Sequence, residues 1–531
     1  MTRFSGFAAF GLLLFQSLVT ASPRPCLDGL CSVTRLNITS QQVARELGPL
    51  LSRNSSIFGP DDPRFASTTA RYQQYQPPTI KMVVQPGCEA DIPKIVKYSN
   101  ANSIPFLTVN RAHGLTATLG KFTGMQIDMG MLRDITIQKG GSTAIFQGGA
   151  YDGQVIDYLW DKGYVTTTGS CACVGMLGPG LGGGHGRYQG FYGMISDNIV
   201  KLNVVLADGQ AITVSEKSHP DLLWAMKGAG HNFGIVTSFE LKIYPRLVDT
   251  WYYKNYLWKQ DKLETMFTEL NKLHLRANKT RELAVNYGTY GVNASISTTE
   301  AVIWWSFTYA GPQKDAQQYF DAFDKIPAEF VEDGNVPYSG IPDATGSGVD
   351  QPLCAKGFEH VHSTTYLDVW NVTSQRQIYD LFQQKITQQP LVAGSIIMLE
   401  DYSTIGVKAV DPKTSAFPWR ERNLMTFVSP VLPVRFQADI FFISSVHAVN
   451  FPPNSSLDAF AAEWAKETLD LFNKGSGIPP STYVNYAAGN EPIEQMYGTE
   501  PWRLQKLRSL KAQYDPSGRF NYYNPITPAK Y

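Results

Sequence analysis

The densest concentration of reactive side chains lies in Gly169-Ser-Cys-Ala-Cys-Val-Gly-Met-Leu-Gly-Pro-Gly-Leu-Gly-Gly-Gly-His-Gly186. Backbone this rich in glycine exposes amide N–H donors and admits a ligand closely, which suits a bound diphosphate. Gly178, Gly180 and Gly183 satisfy GxGxxG, the fingerprint of a strand–turn–helix dinucleotide site. That reading fails: Pro179 stands inside the run, and Arg187-Tyr-Gln-Gly-Phe-Tyr-Gly193 is not a helix start. Cys171 and Cys173 are nucleophiles once ionised. Their spacing is not a zinc pattern, because there is no second Cys/His pair at a suitable distance. His185 closes the run, where an imidazole titrating near neutral pH serves as base, acid or substrate anchor, or else bonds a backbone group. His360 and His362 would share one face of a strand, but with no further ligand nearby no metal site is expected. His113 stands in the loop after an apolar run, and Tyr483-Val-Asn-Tyr486 places two phenols near the C-terminus. A phenol, with a pKa of about 10, is a poor base unless its surroundings lower it.

The elements that must position these groups are legible in part. Residues 80–84 read as a strand, and 89–100 as a helix with Ile92, Ile95 and Val96 at helical spacing. Residues 105–109, 199–206 and 233–243 read as strands, the second ended by the Asp208-Gly209 turn. A short helix runs from Pro220 to Lys227, closed by Gly228. After about residue 248 glycine-rich loops give way to strands and amphipathic helices. Helices are expected over 263–275 and 457–472, strands over 301–309 and 437–444, and a long loop over 333–351. A chain of 531 residues exceeds one core, which stops growing near ~250–300 residues, so two domains or one interrupted domain are expected.

Lys+Arg and Asp+Glu are both 46, and no basic run exists to displace counterions, so nucleic acid is not an expected partner. Arg3, the short apolar run from Phe7 to Phe15 and Val19-Thr-Ala21 form a signal peptide over 1–21, too short in its apolar part to span a bilayer. No later stretch reads as a membrane span. Six Asn-x-Ser/Thr sequons, at Asn37, Asn54, Asn278, Asn293, Asn371 and Asn454, fit a glycosylated, secreted chain with most of them on the surface. Six cysteines then permit disulfides; a Cys26–Cys31 bridge is plausible, and a Cys171–Cys173 bridge is geometrically poor.

Several motifs resemble one family, in order along residues 70–525: the histidine-bearing loop Pro105–Gly114, Cys171-Ala-Cys-Val-Gly175, Leu181–Gly186 with Tyr192-Gly193 and Ser196–Val200, Gly228–Thr237, and Tyr483–Tyr486 with Tyr514-Asp-Pro516. The chain is similar to the berberine-bridge-type FAD-linked oxidases of the vanillyl-alcohol-oxidase fold, in a fungal variant. The resemblance implies an α+β architecture. A lead-in (22–69) precedes an FAD-binding domain (70–248), completed by a C-terminal segment (478–531). An inserted substrate domain (249–477) carries an antiparallel sheet backed by helices. It implies FAD bonded through His113, with Cys171 as a second link through a thiolate of lowered pKa; Cys173 competes for that assignment, and a free thiol or disulfide is the alternative for Cys171. Further cofactor contacts are implied at Asn110, Arg111, Ala112, Gly114, Gly169, Ser170, Val174, Gly175, Gly178, Gly182, Gly183, Gly186, Asp197, Asn198, Ile199, Asn232, Gly234, Ile235, Val236 and Asn485. The loop departs from the family where Asn110-Arg-Ala112 replaces small glycines. Val174 matches a position that gates oxygen, His231 reads as a backbone contact near the cofactor, and Tyr486, with Tyr483 and His185, is the implied acid/base set. The expected reaction delivers hydride from a small organic substrate, a secondary metabolite or else a carbohydrate or simple alcohol, to flavin N5, with molecular oxygen reduced to hydrogen peroxide. The alternatives are a redox-neutral cyclase and a non-enzymatic flavin-binding protein. Oligomeric state is left open.

Overall fold

Ile92, Ile95 and Val96 lie on one face of helix Asp91–Ala101, which buries all three in one cluster with Met82, Val84, Phe106 and Ile127. Those partners belong to parallel strands Thr79–Gln85, Thr123–Asp128 and Phe106–Val109. Ser56–Phe58 adds an antiparallel edge. The computed structural model describes residues 38–277, 280–422, 424–429 and 455–529. The expected signal peptide, Cys26, Cys31, the sequons at Asn37, Asn278 and Asn454, and the strand expected over 437–444 lie outside them.

A second, five-stranded antiparallel sheet runs Ile135–Ile137, Thr143–Gln147, Ile235–Lys242, Ile199–Val205, Ala211–Ser215. Pro220 opens helix Pro220–Ala229, and Gly228, at φ 137°, turns the chain out of it. The third sheet is antiparallel and seven-stranded, in the order Phe330–Val336, Trp251–Trp258, Ala301–Tyr309, Leu283–Val292, Ile396–Tyr402, Leu424–Ser429, Ser363–Leu367. Helices Leu263–Ala277, Val372–Gln388 and Ser455–Ser476 back it, sharing a core built on Trp258, Trp305, Phe307 and Trp464. Successive side chains in a strand point to opposite faces. Ile397 and Leu399 therefore join the helix-side core, while Met398, Glu400 and Tyr402 face the other way. The expected α+β class, with an antiparallel sheet backed by helices, is what the chain adopts. Among the described residues no helix is long and apolar enough to cross a membrane.

Two local expectations are corrected. Residues 333–351 are not one loop: the first four complete edge strand Phe330–Val336, which pairs with Trp251–Trp258 through its backbone and so tolerates Glu332 and Asp333. Single turns of helix, Tyr338–Gly340 and Ile341–Ala344, come next. Residues 187–193 do contain one helical turn, Gln189–Tyr192. Surface positions are expected for most sequons, and of the three described, Asn54 and Asn371 are exposed, while Asn293 is 3% exposed and its side chain accepts the Ser295 N–H.

After the third sheet the chain returns to the second. Val484, Tyr497, Leu504 and Leu507 share a core with Leu181, Ile199 and Trp224. Lys511 and Asp515, both fully buried, pair at 2.6 Å. The Lys511 ammonium also donates to the Asn232 and Phe520 carbonyls, and Asp515 accepts the Arg519 and Phe520 N–H groups. Asp515→Ala should cost about 3–5 kcal/mol in chemical denaturation, because it strands a buried ammonium. Lys511→Met with Asp515→Leu should recover much of that loss.

Candidate active site

A cavity of about 390 Å³ opens among the three sheets. It is bounded by strand Phe106–Val109 and the loop 110–115 that follows it, the 169–181 run, Gly234–Val236, the strand face of Met398, Glu400 and Tyr402, and the C-terminal residues 483–486 and 519–523. Of the residues implicated by sequence, Asn110, Arg111, Ala112, His113, Gly114, Gly169, Ser170, Cys171, Val174, Gly175, Gly178, His185, Gly234, Ile235, Val236, Tyr483, Asn485 and Tyr486 line it. Seven do not, and act from behind. Gly182 lies against the Asn485 amide, and Gly183, at φ 113°, leaves no room for a Cβ between Met194 and Phe417. A Cβ on Gly186 would collide with the Thr168 carbonyl oxygen. Asp197 pairs with Arg420 at 2.7 Å and accepts the Met194 N–H. Asn198 donates to the Met194 carbonyl, Ile199 begins a core strand, and Asn232 accepts the Ile526 N–H.

Loop 110–114 is held by its own polar groups. The Asn110 amide donates to the Ala150 carbonyl, and Arg111 Nε donates to the Cys173 carbonyl. Ala112 takes φ 59°, a conformation that favours glycine, and its carbonyl accepts the Tyr72 N–H. His113 stacks on Tyr72 at 4.7 Å, and Tyr72 stacks on His360 at 4.4 Å. Burial, then the charges of Lys356, Arg111 and Arg71, hold His113 down at about 3, so its imidazole is neutral across the physiological range.

Cys173 is bonded to Cys354, 181 residues later, which removes it from competition with Cys171. Cys171 is free. Burial pushes its thiol up to about 12, with Arg187 pulling the other way. The lowered pKa expected from sequence is therefore corrected: the thiol sits beside Asp152 and Glu400, and one guanidinium does not offset desolvation. His360 and His362 do not share a strand face, since Ser363–Leu367 begins after both. His362 is hydrogen-bonded to the His360 and Tyr486 carbonyls instead. Among the described residues the one group with metal-ligand spacing is Cys171, Cys173 and Cys354, two of which are spent on the disulfide.

His185 does not titrate near neutral pH. Gln189 donates to the Ser403 carbonyl and accepts the Gly186 N–H, which turns its Oε1 towards His185 Nδ1 at 2.8 Å and fixes that nitrogen as the donor. Nε2 then accepts the Tyr366 hydroxyl at 2.9 Å. With both nitrogens engaged, burial holds the ring down at about 4. His231 bonds the Gly178 carbonyl at 2.8 Å, a backbone contact at the cavity wall. The Tyr483 hydroxyl accepts from Gly184 N, His185 N and the Asn485 amide, so it clamps the glycine run.

One residue that sequence reasoning missed is Glu400. It is 6% exposed, and Tyr402 donates to its Oε1 at 3.0 Å. Burial raises it to about 7, moderated by the Tyr402 and Tyr486 hydroxyls and by Arg187. The Glu400 charge in turn helps push Tyr486 well above its usual value. An acid inside the apolar strand Ile396–Tyr402 was the available signal. Tyr287, Leu353, Met398 and Phe427 line the cavity with it. A neutral imidazole, a thiol, glycine-rich backbone and a largely apolar lining fit a flavin dinucleotide.

Peptide mapping without reductant should recover Cys173 joined to Cys354 and Cys171 outside any disulfide. Cys354→Ser should cost about 2–4 kcal/mol in thermal unfolding.

Residues 80–215 match an FAD binding domain model, and residues 482–527 match the model described as berberine and berberine like. The chain is 51% identical over 527 residues to the FAD-linked oxidoreductase anuG of Penicillium roqueforti, covering 99% of this chain and all of that one. Its fold is similar to that of BBE-like 1 of Physcomitrella patens, with a TM-score of 0.73 at 18% identity over 91% of this chain and 99% of that one. It is also similar to the glucooligosaccharide oxidase of Acremonium strictum, which is described with a 6-S-cysteinyl, 8α-N1-histidyl FAD, with a TM-score of 0.71 at 18% identity over 92% of this chain and all of that one. The chain belongs to the berberine-like family of FAD-linked oxidoreductases.

Proposed function

We propose that this oxidoreductase removes hydrogen from a small, largely apolar secondary metabolite, with Glu400 as the terminal proton acceptor and molecular oxygen as the electron acceptor. The observation that carries this reading is the buried carboxylate of Glu400, poised near 7 and flanked on the cavity wall by Met398, Tyr402, Tyr287 and Phe427, whereas the other buried carboxylate of the lining, Asp152, is held by the Gly169 N–H. A carbohydrate substrate would need an array of polar partners, and this wall offers few. Bound FAD supplies a two-electron acceptor for a substrate C–H bond.

The chain's own residues handle the proton. Tyr486 alone is a poor base, since burial and Glu400 hold its hydroxyl proton tightly. Beside an ionised Glu400, however, the hydroxyl can accept a substrate proton as it passes its own to the carboxylate. Tyr402, bonded to both Glu400 and Ser170 Oγ, fixes the carboxylate's direction. His185 and Tyr483 position the glycine run and are not the base. His113 is the covalent anchor of FAD, supported by its neutral imidazole on the cavity wall. Cys171 is the second anchor, and a thiol this hard to ionise bonds more slowly. Val174, on the same wall, is the residue past which oxygen reaches the cofactor. The disulfide, together with sequons at exposed Asn54 and Asn371, supports a secretory route.

Anaerobic stopped-flow reduction by substrate tests the proton route. The reactive form carries ionised Glu400, so the rate should rise with pH through about 7. Glu400→Gln should lower it by about 10²–10⁴ and abolish that inflection; Tyr486→Phe should also slow reduction. His185→Phe should leave the inflection in place. An unchanged pH profile in Glu400→Gln would remove the carboxylate from the mechanism.

Acid precipitation tests attachment. Wild-type protein should keep flavin in the pellet, His113→Ala should keep some through Cys171, and the variant lacking both should release all of it.

A further inference from the structure

Arg71 lines the cavity at 5% exposure, and its Nη1 is buried with no acceptor among the described residues. Two other cations act on His113 alongside it, and both are engaged. Arg111 donates to the Cys173 carbonyl at 3.0 Å and lies over Tyr151 at 4.6 Å, and Lys356 donates to the Ala70 carbonyl at 3.2 Å. The backbone on either side holds Arg71 in place: Tyr72 N–H bonds the Ala112 carbonyl, and Gly357 N–H bonds the Arg71 carbonyl. The guanidinium thus stands beside Gly114 and Tyr523, with Nη2 3.6 Å and the Tyr523 ring 3.0 Å from the point where a Gly114 Cβ would be. A buried, unpaired cation is costly to a fold, and one aimed into a cavity fits a site completed by an anion.

We propose that Arg71 binds the diphosphate bridge of FAD. The guanidinium fork matches two phosphate oxygens. The loop's own polar side chains are turned towards the protein, the Asn110 amide donating to the Ala150 carbonyl and Arg111 Nε to the Cys173 carbonyl. The cation acting on Glu400 is Arg187, not Arg71. The proposal rests on the family's FAD site and not on the proton route. It also has a consequence for stability: without cofactor the chain carries an uncompensated buried charge, which FAD relieves.

The test uses the full chain with His113→Ala and Cys171→Ala, so that flavins bind reversibly. FAD and riboflavin, which lacks both phosphates, are titrated by quenching of flavin fluorescence into this parent and into versions adding Arg71→Met or Arg71→Lys. Arg71→Met should weaken FAD by about 10–100-fold, leave riboflavin unchanged and raise the melting temperature of the flavin-free protein; Arg71→Lys should restore part of the FAD affinity. Unchanged FAD affinity in Arg71→Met overturns the proposal. So does equal weakening of both flavins, or a fall in the flavin-free melting temperature, since either marks a structural role. A parent that binds no FAD at all overturns the cofactor assignment on which the proposal stands.

Discussion

Arg187 is fully buried, and the two halves of the cavity meet on it. Its Nη1 donates to the Ser170 carbonyl at 2.8 Å, while Nη2 donates to the Thr345 and Ser347 hydroxyls. One guanidinium therefore ties the run that carries Cys171 to the segment that carries Cys354. Its charge also reaches five groups at that end of the cavity: it pulls down Cys171, Asp152, Glu400, Tyr287 and Tyr402 against the desolvation that pushes all of them up. Without it the carboxylate of Glu400 would lie still further from an ionised state at neutral pH. Position and charge are supplied by the same residue, so neither can be altered alone.

The C-terminal segment closes the other side. Tyr483 accepts from two successive N–H groups of the glycine run, and Asn485 donates to the Pro179 carbonyl. These bonds join residues some 300 positions apart, and they need the glycines: with side chains at Gly182 and Gly183 the run could not lie under Asn485 and Phe417. The buried Lys511–Asp515 pair then fixes the turn that brings Phe520 to Tyr523 to the cavity. The buried polar network here sets geometry that an apolar core would leave loose.

Local spacing decides the features that could be read from the sequence. Ile92, Ile95 and Val96 mark their helix without help from the rest of the chain, and Asp208-Gly209 marks its turn. The GxGxxG match could be set aside on Pro179 and on the composition of residues 187–193, and the chain does run from one helical turn into Gly183 and Gly184 at positive φ. The site was half legible: His113, Cys171 and Tyr486 came from motifs. Glu400 and Arg71 did not, because their burial is set by partners far away in sequence. Glu400 faces the cavity only because Ile396–Tyr402 pairs with Leu283–Val292 and Leu424–Ser429 in a register that turns Ile397 and Leu399 to the helices. Shifted by one residue, Asp401 would face the cavity instead, away from His274 and Asn286.

The same burial explains why histidine is a poor switch here. An imidazole in water gives up its proton near ~6.5. His113, His185 and His231 are each held well below that, because a charged ring would be stranded in the protein interior. Desolvation acts in the opposite direction on an acid, and so it moves the carboxylates of Glu400 and Asp152 up towards neutral pH. A cavity built to exclude water will favour a buried acid over a buried imidazole as its proton acceptor near neutral pH. Charged histidine would need an anionic neighbour of the kind His274 finds in Asp401, whose charge raises it, on the far side of the same strand.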